Sequence, residues 1–335
     1  MDLLQLPANQ PRDRFYRGGE RIAEFRGDGP AAPNTPEDWV GSTTCVRGQD
    51  PVGRTRLADG TDLADAVAAD PAGWLGDDHV AAFGADTMLL VKLLDAGQRL
   101  PIHAHPHRTF AHEHLGSAHG KAEAWFLLTP GVVHLGLRED IASDRLLAMI
   151  ENQDTDELLE LMHRIEVPAG HTVYVPPGVL HAIGEGILLV EVQEPEDLSI
   201  LLEWRGFDLD GVTDGHLDLG FATALEAVET TARTAADVAA LVRGPVEDGD
   251  CLPAESAPYF RLDRLAVDGG RSVPAGFGVL VVVDGPVTVG GTASGARIDA
   301  PAGATVLIPF AAGDLTLAGS GAVVLARPPL ARRAS

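Results

Sequence analysis

Cysteine is nearly missing from this 335-residue chain. Only Cys45 and Cys251 occur, far apart, which rules out a disulfide framework and a cysteine-based metal site. Positive charge is also scarce. Lysine and arginine number 25 against 49 acids, a formal net charge of −24. Such a chain has no electrostatic reason to bind nucleic acid or an anionic membrane. The acid surplus reads as a solvated surface suited to a salty cytoplasm. No uninterrupted apolar stretch is long enough to cross a bilayer. Met1 to Arg14 lacks a basic start followed by an apolar run, so no signal peptide is expected. A soluble cytoplasmic protein is the simplest expectation. Histidine, finally, is missing beyond His216.

What is abundant points to β structure. Gly 38 and Pro 23 are high and aromatics are 5%, with many short apolar runs between turn residues. That pattern predicts a mostly β protein with tight turns. A chain this long exceeds one ordinary compact core, so two domains are expected, 1–244 and 245–335. In the first, strands are expected over Met88 to Leu94, Lys121 to Leu128, Val132 to Leu137, Thr172 to Val175, Ile187 to Gln193 and Ser199 to Glu203. Thr61 is the expected cap of a short helix through Leu63 to Val67. A polar, histidine-rich loop is expected over His107 to Gly120.

Helical insertions are expected over about 139–165 and 221–243. The first carries an apolar stripe of Leu146, Leu147 and Ile150, then a capping-box-like start at Asp154 and Glu157. The second ends at Gly244. Residues 258–328 read as short β segments rich in Gly, Ala and Val. Their Pro301-Ala302-Gly303 and Ile308-Pro309 weakly echo Pro168-Ala169-Gly170 and Val175-Pro176, as expected of an internal duplication with the chemistry kept in the first copy.

That chemistry centres on two segments, G-Q-R-L-P-I-H-A-H-P from Gly97 to Pro106 and G-H-T-V-Y-V-P-P-G-V-L-H from Gly170 to His181. They match both halves of the cupin signature, G-x5-H-x-H and G-x5-P-x-G-x2-H. Histidines at i and i+2 on a strand point to one face, so His103 and His105 can reach a single ion. His181 brings a third imidazole after a Pro-Pro-Gly turn. Glu123 is the fourth candidate ligand. It shares a strand face with Lys121, and a buried carboxylate needs a partner. Three imidazoles and a carboxylate suit zinc, and also manganese, iron, nickel or cobalt. His107, His112, His114 and His119 read as loop residues and not as ligands.

Along nearly its whole length the chain resembles the type I mannose-6-phosphate isomerases (phosphomannose isomerases) in their short bacterial form. Leu90-Val91-Lys92-Leu93-Leu94-Asp95-Ala96 leads into the His-Pro segment as in that family. Gly120-Lys121-Ala122-Glu123-Ala124-Trp125 is similar to its G-K-T-E-x-W strand, and Leu135 to Asp140 to its L-G-F-x-E-D. Pro176 to Gly184 is similar to its P-A-G-T-V-H-A-I-G. The resemblance implies two cupin (jelly-roll) barrels, the first metal-binding and carrying a helical insertion, the second metal-free. It implies one divalent ion, zinc, held by His105, Glu123 and His181, with His103 where the family has Gln. It marks Lys121 as an active-site lysine and Glu191, in L-x-E-x-Q, as a family acid. There is a more serious departure: Leu201 stands where the family's S-D-x-x-x-R places an arginine, Arg205, four residues on, is the candidate substitute, and Arg108, a further candidate for a cationic phosphate pocket, replaces an acidic residue.

The expected activity is aldose–ketose isomerisation between mannose 6-phosphate and fructose 6-phosphate, with a small sugar or sugar phosphate as partner. The expected catalytic residues are Lys121, Glu191 and Arg205, with Glu191 as base. The alternatives are an isomerase or epimerase of a non-phosphorylated sugar, and a non-catalytic sugar-binding bicupin.

Overall fold

The fold comes from a computed structural model, which describes residues 1–331. It is mostly β, with three sheets whose neighbouring strands are all antiparallel. A six-stranded sheet runs in the order Val242–Arg243, Thr172–Val175, Glu123–Leu127, Leu188–Gln193, Leu90–Asp95, Glu37–Val40. A five-stranded sheet runs Ile200–Leu201, His103–Ala104, His181–Ile183, Gly131–Leu137, Met162–Val167. An eight-stranded sheet takes the remainder of the chain from Gly249 to Arg327, joined by Leu4–Gln5 from the N-terminus.

The first two sheets share one core. Trp125, Leu127 and Leu189 from one lie on the face turned towards Val133, Leu135 and Ile183 of the other. The five-stranded sheet alternates as period 2 demands. Ile102 and Ala104 pack outward with Leu146, Met149, Ile150 and Leu158 of two helices, Ser143–Asn152 and Thr155–Glu160. His103 and His105 therefore turn inward. Burying each such aliphatic side chain contributes roughly 1.5–3 kcal/mol.

The structure revises several local expectations. Asp62, not Thr61, caps the helix Leu63–Ala69, accepting from the Ala64 N–H. Asp154 precedes Thr155–Glu160 without a side-chain cap. Met162 opens a strand, because its backbone pairs with Leu137. The segment 107–120 is not a plain loop. His107 accepts from the Phe110 N–H and caps a helical turn that continues as a π-helical turn, Ala111–Leu115, over buried Phe110 and Ala111.

No continuous helix fills 221–243 either. A turn at Phe221–Ala224 and a 3-10 turn at Leu225–Ala227 give way to extended chain, before a second short helix, Ala235–Ala240. The extended part bonds elsewhere: Glu229 N–H donates to the Gly178 carbonyl, and the Thr230 carbonyl accepts from Ile141.

Candidate metal centre

The two motif halves meet in register. His103 pairs directly with His181 across adjacent strands, and Leu201 flanks His103 on its other side. Glu123 comes from the six-stranded sheet, where it pairs with Gln193 and Val175. The site thus lies between the two sheets. Ligand atoms of His103, His105, Glu123 and His181 all fall within 4.8 Å of one another, and all four residues are buried.

Backbone carbonyls fix the three tautomers. Nδ1 of His103 lies 2.8 Å from the Pro101 oxygen, Nδ1 of His105 2.7 Å from Leu198, and Nδ1 of His181 2.8 Å from Val179. A carbonyl only accepts, so each Nδ1 carries the proton and each Nε2 keeps its lone pair. Burial pushes His103 well below the ordinary imidazole pKa. Burial, with the Lys121 charge beside it, takes His105 down to about 3. Both rings are therefore neutral near pH 7, the form that ligates a metal.

The carboxylate faces these lone pairs. Glu123 Oε1 lies 3.2 Å from His181 Nε2, and Oε2 lies 3.0 Å from His105 Nε2. Acceptors this close repel unless a cation joins them. Lys121 Nζ supplies part of that charge, 3.1 Å from Glu123 Oε2 and 3.1 Å from His105 Nε2. Burial would raise the Glu123 pKa, but Lys121 and the imidazole contacts outweigh it and hold the carboxyl well below its usual range. His181 Nε2 is still without a well-directed hydrogen bond. Neutral imidazoles, an ionised carboxylate and an orphaned buried acceptor together fit one divalent ion. Trp125 Nε1 donates to Glu123 Oε1 at 3.0 Å and holds the carboxylate in place.

A cavity of about 740 Å³ opens on this cluster, lined by His103, Lys121 and Glu123 and, on the same sheet as Glu123, by Lys92 and Glu191. Glu191 comes from the central strand Leu188–Gln193, where its backbone pairs with Lys92. Its Oε1 lies 3.4 Å from Lys92 Nζ. Burial raises the Glu191 pKa, opposed by Lys92 and reinforced by the Glu123 charge.

Behind them stands a network that sequence reasoning missed. Buried Glu37 accepts from Tyr16 Oη at 2.5 Å and Trp39 Nε1 at 2.7 Å, and pairs with Arg14 at 3.4 Å and Lys92 at 3.8 Å. One signal was legible: Lys92 interrupts an otherwise apolar strand, and a buried ammonium requires carboxylate partners.

Arg205 is not brought to this group. Regular pairing ends at Leu201, and the chain turns away. Gln153 accepts from the backbone N–H groups of Trp204 and Arg205, and the Arg205 guanidinium donates to the Asn152 carbonyl at the surface. Arg108 is likewise elsewhere, on Glu194 and over the Tyr259 ring. Leu201 itself lines the cavity.

No family model matches the chain. Among characterised proteins it is similar to mannose-6-phosphate isomerase of Streptococcus mutans, 30% identical over 207 residues, covering 55% of this chain and 63% of that one. It is similar to the mannose-6-phosphate isomerase ManA of Bacillus subtilis, 34% identical over 146 residues, covering 42% and 44%. The match thus spans less than two thirds of either relative. In three dimensions it superposes on a solved mannose 6-phosphate isomerase from Bacillus subtilis with a TM-score of 0.70 at 20% identity, covering 97% and 99% of the two chains. A putative mannosephosphate isomerase from Archaeoglobus fulgidus gives 0.74 at 20%, covering 98% of each. The chain therefore has the phosphomannose isomerase fold throughout, and sequence similarity to those enzymes over part of its length.

Proposed function

We propose that this protein is a metal-dependent aldose–ketose isomerase that interconverts mannose 6-phosphate and fructose 6-phosphate. The observation that carries the reading is a four-donor metal cluster facing, in one cavity, a lysine and a buried carboxyl with a raised pKa. The names of the relatives support the substrate pair. Zinc fits the donor set. The reading includes two cupin barrels, 1–244 and 245–335, with the site in the first, in a cytoplasmic enzyme.

A divalent ion held by His103, His105, Glu123 and His181 would bind the sugar oxygens and polarise the carbonyl, making the neighbouring C–H proton easier to remove. In this reading Glu191 is the base that takes that proton. In the aldose-to-ketose direction the C2–H bond breaks and its proton goes to Glu191, its electrons form the C1=C2 bond of an enediol, and the aldehyde oxygen takes a proton from a water molecule. The enediol then gives its O2 proton back to the hydroxide so formed, the C2=O bond forms, and the proton held by Glu191 returns to C1. Burial lifts Glu191 above an ordinary carboxylate, which makes it a stronger proton acceptor than an exposed glutamate. Lys92, 3.4 Å away, limits that rise. Lys121 presents an ammonium beside the cluster, where negative charge develops on the sugar oxygens.

The test is conversion of mannose 6-phosphate to fructose 6-phosphate by purified protein of measured metal content, with and without a chelator. Metal-dependent interconversion is the expected result. A metal-loaded sample inert towards every phosphorylated and free aldose offered would refute the isomerase reading.

A further inference from the structure

A phosphoryl dianion is ordinarily held by several cations free to make charge-assisted bonds to its oxygens. Among the described residues, every cation lining this cavity already has a carboxylate. Lys121 lies 3.1 Å from Glu123. Lys92 sits between Glu191 and Glu37, at 3.4 and 3.8 Å, and over the Trp39 ring at 4.7 Å. Arg14 lies between Glu37 and Asp197, at 3.4 and 3.8 Å. Arg47 donates to Asp218 at 3.0 Å and to the Leu217 carbonyl at 3.3 Å.

Three more carboxylates, Asp13, Asp208 and Asp214, line the same space, so eight face four cations. A bound divalent ion would bring the positive charges to six, still fewer than the eight carboxylates. The wall beside His103 is the Leu201 side chain, an apolar surface with nothing to offer a phosphate.

From this balance we propose that the cavity also isomerises the neutral, unphosphorylated aldose and ketose, with little preference for the phosphorylated pair. The inference rests on the isomerase reading and names a second substrate class for that site. The reacting carbons are unchanged: the proton still moves between C2 and C1, and no oxidant or reductant is needed. What differs is the remote end of the sugar. There a hydroxyl meets carboxylates that accept its hydrogen bond, whereas a dianion meets surplus negative charge.

The experiment compares kcat/KM for mannose and mannose 6-phosphate in the same metal-quantified preparation, at low and high salt. A site built around a phosphate would reject the free sugar by roughly 10⁴-fold or more. The expected ratio here is under about 100-fold, with KM for the phosphorylated sugar falling as salt screens the wall. The double variant Asp208→Asn/Asp214→Asn should lower KM for mannose 6-phosphate several-fold. Turnover of mannose 6-phosphate with none detectable for mannose overturns the proposal and leaves the isomerase reading standing. So does a double variant whose KM for mannose 6-phosphate rises. Turnover of neither sugar removes both.

Discussion

Glu123 and Lys121 are two residues apart and 3.1 Å from each other, yet their replacements should be told apart by metal content. Glu123 is the only anion among the four clustered donors. Glu123→Gln should weaken metal affinity by more than the roughly 10–100-fold typical of losing an outer partner, as measured by metal retained after dialysis. Lys121→Met removes a cation that competes for the same carboxylate, so metal should be retained in full while kcat falls about 100-fold or more. Metal loss in Lys121→Met would mean that the ammonium organises the ligands and does not act on substrate. At this scale much was legible. H-x-H spacing, a lone carboxylate two residues from a lysine, and a turn ending in His181 each announce themselves locally. Lys92 and Glu37 did not stand out as a pair. Their contact joins neighbouring strands Glu37–Val40 and Leu90–Asp95, and no local spacing announces it.

At the scale of elements, His119 ties three segments together beside the cluster. Its Nε2 lies 2.6 Å from Asp86 Oδ2, and its Nδ1 lies 3.7 Å from Glu194. Burial alone would lower its pKa, but Asp86 and Glu194 outweigh that and raise it from 6.5 to about 9. A folded-state pKa above the unfolded one stabilises the protein fully below pH 6.5. That contribution is lost as pH rises through about 9. Its full size is on the order of 3 kcal/mol. Urea unfolding of wild type should show a decline in stability between those limits. His119→Gln should be weaker at pH 6 and show a shallower decline, whereas equal slopes would remove the clamp from the account. The same scale explains the helix expected over 221–243. Its residues have helical composition, but Glu229 and Thr230 bond to Gly178 and Ile141, partners distant in sequence. His107 to Gly120 failed in the opposite sense. Phe110 and Ala111 find a core to bury in, and a polar stretch becomes helical turns.

Across the whole molecule, the two ends of the chain are sewn together. Leu4–Gln5 pairs with Thr305–Ile308, and Arg26 donates to both Asp38 and Thr305. Leu3 and Leu6 flank that strand and are buried in two different clusters. Deleting residues 1–8 should therefore destabilise the protein by about 3–6 kcal/mol, the burial of two leucines, and expose an edge prone to pairing with other chains. An unchanged urea midpoint would show that the strand contributes nothing. Composition and local spacing by themselves determined the β-rich character, the presence of helices within the insertion expected over about 139–165, and the four residues that converge as candidate metal donors. These depend on period, turn chemistry and side-chain type, all of which are local properties. Tertiary structure alone decided that Arg205 turns away, that Lys92 and Glu37 back the cavity wall, and that carboxylates outnumber cations around it. The reason is physical: those relations depend on which strands lie side by side, and that is set by the burial of the whole core.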